Sequence, residues 1–124
     1  MASDLLFVYG TLRRGATRGG ERNPYAIRLE QEATWLGTAR VPGRLYQVNV
    51  DYPGMTPPES EDEWVPGEMW QFSDAELWQA LDGYEGDEYS RATCLVTLPN
   101  GRHQEAWVYL YASKITTAMA RVAV

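Results

Sequence analysis

The sequence predicts an α+β fold whose mixed or antiparallel sheet can curl into a barrel. Three observations lead there. About six runs read as strands, against two or three short helical ones. The two kinds follow no alternating strand–helix rhythm. Two of the strand-like runs flank Asn100-Gly101, the strongest short hairpin signal a sequence offers. The 124 residues carry no internal repeat or linker, so a single domain spanning 1–124 is expected, long enough to bury a core without staples.

Leu5-Leu6-Phe7-Val8-Tyr9 is the first strand, a short apolar run ended by the turn signal Gly10. Without a Cβ, Gly10 lets the backbone turn sharply and approach a ligand. Successive N–H groups at such a turn can converge on an anion. The plainer reading, a strand with a tight exit, stands beside it. Residues 13–22 are rich in arginine and glycine and predict an irregular, solvated loop.

Asn23-Pro24 marks a helix start, with Asn as N-cap and Pro at the first helical position. A helix from 24 to about 33 places Tyr25, Leu29 and Ala33 on one face. Residues 35–41 are strand-like, Pro42-Gly43 turns the chain, and 44–50 continues as strand. Tyr52-Pro53-Gly54-Met55 suits a type II turn. The acidic, proline-containing stretch 57–63 predicts an exposed loop whose charges are plain solvation.

Residues 65–72 form the next strand, Pro66 marking its edge or entry. Ser73-Asp74-Ala75-Glu76 reads as a capping box, with Ser73 as the cap. The helix it opens carries Leu77, Trp78 and Leu81, and Gly83 is its expected terminator. Tyr84-Glu85-Gly86 would then lie on the turn beyond. Strands at 90–98 and 104–111 make the hairpin, and residues 114–124 predict a short last helix.

Composition removes several function classes. A net charge of −6 argues against nucleic acid, because neutralising phosphates needs a basic face. The one cysteine, Cys94, permits no internal disulfide and no multi-thiolate metal site, and in its apolar run it reads as a small buried hydrophobe. No metal is expected. No apolar stretch approaches a membrane span, and the N-terminus lacks a secretory pattern, so a cytoplasmic protein without membrane partners is expected.

Few residues are left to do chemistry. The one histidine, His103, falls at the predicted hairpin tip, away from Cys94, which disfavours a Cys–His or Ser–His machine. The glycines at 10, 15, 19 and 20 fit neither the phosphate-binding nor the dinucleotide spacing, and no cofactor is expected. A lone carboxylate acting as general acid/base remains possible if burial among aromatics raises its pKa. Glu85 is best placed, between Gly83 and Gly86 and beside Tyr84; Asp87 and Glu88 stay open as alternatives, as does an exposed turn residue with no such role.

Residues 8–15, Val-Tyr-Gly-Thr-Leu-Arg-Arg-Gly, resemble the opening of the gamma-glutamylcyclotransferase-like family. The likeness continues in order through Trp35-Leu36-Gly37, Val41-Pro42-Gly43-Arg44-Leu45-Tyr46 and Tyr52-Pro53-Gly54. It resumes at Val65-Pro66-Gly67-Glu68, Leu81-Asp82-Gly83-Tyr84-Glu85-Gly86 and Tyr89-Ser90-Arg91, ending at Ala106-Trp107-Val108-Tyr109-Leu110-Tyr111. Each block is weak alone, and the ordered set is specific. The chain looks like a short member of the gamma-glutamylamine cyclotransferase type.

The resemblance implies a mixed β-barrel of about six strands with two or three short helices and a cavity at one end. It implies intramolecular aminolysis of a small γ-glutamyl amine or γ-glutamyl amino acid, giving 5-oxoproline and a free amine. The family's acid/base glutamate falls on Glu85, and its substrate loop on Tyr9, Gly10, Thr11 and Leu12. Tyr111, closing the last block, is a further substrate-binding candidate. The loop amides would hold either the substrate α-carboxylate or the developing oxyanion. The alternative is a non-catalytic module that keeps the cavity for a small anionic metabolite.

Overall fold

The computed structural model describes residues 4–18, 20–48 and 53–122. In chain order its elements are β1 (Leu5–Val8), β2 (Thr17–Arg18), β3 (Glu21–Arg22), α1 (Pro24–Glu32), β4 (Thr34–Pro42), β5 (Arg44–Gln47) and β6 (Pro53–Thr56). There follow β7 (Trp64–Gln71), α2 (Ala75–Glu85), a 3₁₀ turn over Gly86–Glu88, β8 (Tyr89–Thr97), β9 (His103–Tyr111) and β10 (Ala120–Arg121). Five strands close a barrel in the order β1-β7-β4-β8-β9. The pairings are antiparallel except β9 with β1, which meet in parallel at Leu6 and Trp107 and make the barrel mixed. The α+β mixed barrel expected from the sequence is present, with five strands in the barrel rather than about six. A three-stranded sheet, β10-β5-β6, stands beside it. No helix among the described residues is long and apolar enough to cross a membrane.

Strand alternation divides the buried residues into two clusters. Phe7, Met69 and Val108 join one with Val41, Val65 and Val96. Their neighbours Leu6, Val8, Trp70 and Tyr109 join the other, where they meet Leu29 of α1 and Leu77, Trp78 and Leu81 of α2. The helices thus cover one flank of the barrel. At Gly67, β7 runs so close to β1 that a Cβ would overlap the Val8 carbonyl oxygen and press on the Phe7 ring at 2.6 Å.

Several local expectations are corrected. Asp74, not Ser73, caps α2: its backbone is extended and its carboxylate accepts from the Glu76 N–H at 2.9 Å. Aspartate and serine are equally good caps, so the motif fixed the region and not the residue. Helix α2 does not stop at Gly83 but runs on to Glu85, and Gly86, with φ of 68°, ends it. A positive φ is the stop signal that glycine alone adopts cheaply, and Gly83 does not use it.

Pro53, Gly54 and Met55 of the predicted turn instead begin β6, paired with β5 from Gln47↔Pro53 onward. Proline at the first residue of a strand loses no ladder bond. Tyr52 of that turn, and residues 49 and 50 of the predicted strand before it, lie outside the described residues. Residues 17–22 are not wholly irregular: β2 and β3 form a small hairpin.

The tail forms no helix over its described part. It pairs β10 with β5, and the Val122 N–H donates to the Leu45 carbonyl at 2.8 Å. Ile115, Thr116 and Thr117 are β-branched and weaken a short helix, so sheet pairing wins. Residues 123 and 124 of the predicted helix lie outside the description.

Candidate active site

β1 leads directly into the loop that the sequence singled out. The Arg13 N–H bonds the Gly10 carbonyl at 3.1 Å, closing a β-turn over residues 10–13. A turn closed this way leaves the N–H groups of its two central residues, Thr11 and Leu12, outside its own hydrogen bond. Three further contacts hold the loop in shape. The Arg13 Nε–H donates to the same Gly10 carbonyl at 3.0 Å. Trp70 Nε1 donates to the Leu12 carbonyl at 3.2 Å. Glu68 Oε1 accepts from the Arg14 N–H at 2.7 Å and from Trp35 Nε1 at 3.2 Å.

The arginines of this segment are therefore more than a solvated run. The Arg14 guanidinium lies 3.6 Å from the centre of the Trp35 ring, and Arg22 pairs with Glu30. Gly10 packs closely on Pro53: a Cβ there would meet Pro53 Cγ at 3.3 Å, and the ring would have to give by a few tenths of an ångström.

A cavity of about 230 Å³ opens at this turn. Val8 to Leu12 form part of its wall, and Tyr84, Glu85 and Glu88 form another part. Pro53, Tyr89 and Tyr109 complete the lining. One cavity thus brings Glu85 together with Tyr9, Gly10, Thr11 and Leu12. Tyr111, the other expected substrate-binding residue, is not among these lining residues. Its ring packs edge-on to Tyr89 at 5.6 Å and lies over Gly54, so it braces the wall from outside.

The aromatic wall turns its polar tips away. The Tyr9 hydroxyl donates to the Tyr109 carbonyl at 2.7 Å and accepts from the Met55 N–H at 3.1 Å. Tyr89 donates to the Pro53 carbonyl at 2.8 Å, and Tyr109 to Asp82 Oδ1 at 2.7 Å. Asp82 pairs in turn with Arg91, whose guanidinium sits between the Trp78 and Trp107 rings. Burial pushes all three phenols above their ordinary range, so they stay protonated and keep these bonds. Tyr9 therefore shapes the cavity through its ring, its hydroxyl being committed to the fold.

Glu85 ends α2 against this wall. Burial pushes its carboxyl up to about 7, desolvation being the cause. At neutral pH it can both hold and release a proton, as a general acid/base must. No group of three His, Cys, Asp or Glu able to hold a metal occurs among the described residues. Cys94 lies on β8 opposite Ala106, its thiol pushed up to about 12 by burial, and His103 meets Thr97 at the hairpin.

The sequence assigns no place in the site to Tyr89 or Tyr109, and to Asn23 only the helix cap. The hairpin register held a signal for the first two. Counting outward from Asn100-Gly101 pairs Tyr89 with Tyr111 and Arg91 with Tyr109, all on one face.

A sequence model of the family described as "Gamma-glutamyl cyclotransferase, AIG2-like" matches residues 6–122. No curated protein matches the chain. Among solved structures it is similar to an AIG2-like protein from Mus musculus, at 22% identity and a TM-score of 0.72, over 90% of this chain and 79% of that one. It is similar to a gamma-glutamyl cyclotransferase at 16% identity and a TM-score of 0.61, over 95% and 69% of the two chains. With YkqA from Bacillus subtilis it shares 24% identity at a TM-score of 0.68; the match takes in 87% of this chain and 35% of YkqA, so it spans about a third of that protein. At these identities the likeness is one of fold.

Proposed function

The chain belongs to the gamma-glutamyl cyclotransferase, AIG2-like family, and on that premise we propose that it cyclises a γ-glutamyl amine or γ-glutamyl amino acid to 5-oxoproline, with Glu85 as the general acid/base. One observation carries this reading. A carboxyl raised to about 7 shares a single cavity with a turn whose own hydrogen bond does not use its two central amides.

The substrate brings its own nucleophile. Its α-ammonium cannot attack until it loses a proton, and the Glu85 carboxylate takes it. The freed nitrogen then attacks the γ-carbonyl carbon; a C–N bond forms and the carbonyl oxygen becomes an oxyanion. Glu85 returns its proton to the leaving nitrogen, and the old C–N bond breaks. The new ring nitrogen sheds the remaining extra proton, which leaves on the departing amine as an ammonium.

Acid/base help of this kind contributes about 10²–10⁴-fold. Folding the substrate so that its amine faces its own carbonyl adds a proximity term. The Thr11 and Leu12 amides would hold the α-carboxylate or the oxyanion. The aromatic wall keeps the site dry enough to hold Glu85 near neutrality.

The test is incubation of the protein with a panel of γ-glutamyl amides, measuring 5-oxoproline and free amine. Release in equal amounts is expected. Because the base form must act first, kcat/KM should rise with pH through about 7 as Glu85 ionises. Absence of 5-oxoproline across the panel would sink the proposal, and ligand stabilisation without turnover would favour a binding module.

A further inference from the structure

Asn23 is the point where the two halves of the cavity are tied together. Its Oδ1 accepts from the Tyr25 N–H at 2.8 Å and so caps α1. That bond fixes which way the amide faces, since the reverse orientation would set two donors against each other. Its Nδ2 is then free to donate twice. One bond goes to Thr11 Oγ1 at 3.0 Å, the other to the Tyr84 hydroxyl at 2.6 Å. Thr11 is a central residue of the substrate-loop turn, and Tyr84 directly precedes Glu85 on the last turn of α2. The Tyr84 ring also packs on Tyr25, with centroids 4.5 Å apart.

We infer that Asn23 is a positioning residue, setting the Thr11–Leu12 amides and Glu85 at a fixed separation through its two donated bonds. This rests on the cyclisation reading above. A plain helix cap needs only the side-chain acceptor. The donors have no part in capping, and both go to residues that line the cavity. Being donors, they also oblige both hydroxyl oxygens to accept, which directs the Thr11 and Tyr84 protons elsewhere. Misplacing a reacting group by about 1 Å costs on the order of 10²-fold in rate.

Serine separates the two roles, because it caps as well as asparagine but is too short to bridge. Asn23→Ser is expected to melt within about 3 °C of wild type while kcat falls about 10–100-fold, with KM changed less. Unaltered kcat in a folded Asn23→Ser protein would overturn the inference. Tyr84→Phe supplies a control that leaves the cap intact. It should lower kcat in the wild-type background and cost little more in the Asn23→Ser background, since both remove one bridge. Fully additive losses would contradict the bridge.

A readout without substrate keeps this separate from the cyclisation reading. In Asn23→Ser, release of Tyr84 admits water to Glu85. Its carboxyl, followed by ¹³C NMR, should titrate below the wild-type value of about 7. An unchanged titration would count against Asn23 even if no substrate were turned over. Wild-type inactivity on every γ-glutamyl amide would instead fall on the proposed reaction.

Discussion

Glu85→Gln is expected to lower kcat for 5-oxoproline release by about 10²–10⁴-fold while the barrel stays folded. Glutamine keeps the shape of the side chain and its contacts with the cavity wall, but it cannot carry a proton between the two nitrogens. The same substitution should change stability in a pH-dependent way. The folded-state pKa of Glu85 is raised to about 7, and an unfolded carboxyl titrates near its ordinary value. The folded protein therefore holds this proton more tightly than the unfolded chain. Wild-type stability falls as pH rises from the ordinary carboxylate range to about 7, and stays reduced above it. At about 1.4 kcal/mol per unit, a rise from 4.5 to about 7 sets a ceiling of about 3.5 kcal/mol, less whatever the open cavity screens. Urea unfolding should show Glu85→Gln more stable than wild type at pH 8.5 and nearly equal to it at pH 4.5. An equal difference at both values would mean that Glu85 is not held in a desolvated place.

Trp70→Ala is expected to destabilise the fold by about 3–5 kcal/mol. Trp70 is the largest of the fully buried side chains, 1% exposed, and stands where β7 meets both helices. Its ring fills the space beneath the loop, and its Nε1–H holds the Leu12 carbonyl at 3.2 Å. Removing it leaves a void and frees the turn that carries the Thr11 and Leu12 amides. Trp70→Phe separates the two effects. It keeps most of the volume but leaves a carbonyl unpaired, and should cost about 1–3 kcal/mol with a loss of activity beyond that of a neutral core change. Guanidinium unfolding at fixed pH measures both. A cost below about 1 kcal/mol for the alanine variant would place Trp70 outside the core.

What the sequence revealed follows from how local each signal is. The β8–β9 hairpin was legible because Asn100-Gly101 selects its own turn, and the start of α1 because Asn23-Pro24 is a cap complete in two residues. The stop of α2 was misplaced by three residues, between Gly83 and Gly86, because two glycines offer the same local freedom. Which one turns left-handed depends on how the 3₁₀ turn enters β8. That error bears on the site, since it sets Glu85 on the helix rather than in the turn beyond. The tail went to a strand because a partner edge on β5 was invisible from residues 114–124 alone.

The candidate site was legible in its two chemical parts and not in its supports. Gly10 and Glu85 stand out by residue type and by neighbours. Which tyrosine of β9 reaches the cavity depends on barrel closure, and the structure gives Tyr109, with Tyr111 one repeat further along packed on Tyr89. Asn23 illustrates the same limit. Its capping half is written in the sequence, while its two donors are spent on Thr11 and Tyr84, residues 12 and 61 positions away.

The central claim is spatial: Glu85 and the Gly10–Leu12 turn act on one substrate in one cavity. A crystal structure of the protein with 5-oxoproline tests it most directly. The lactam nitrogen is expected within hydrogen-bond reach of the Glu85 carboxyl, and the product's carboxylate or lactam oxygen on the Thr11 and Leu12 amides. A product bound in this cavity without touching Glu85, or lodged in the groove beside Arg40 and Glu68 instead, would contradict it.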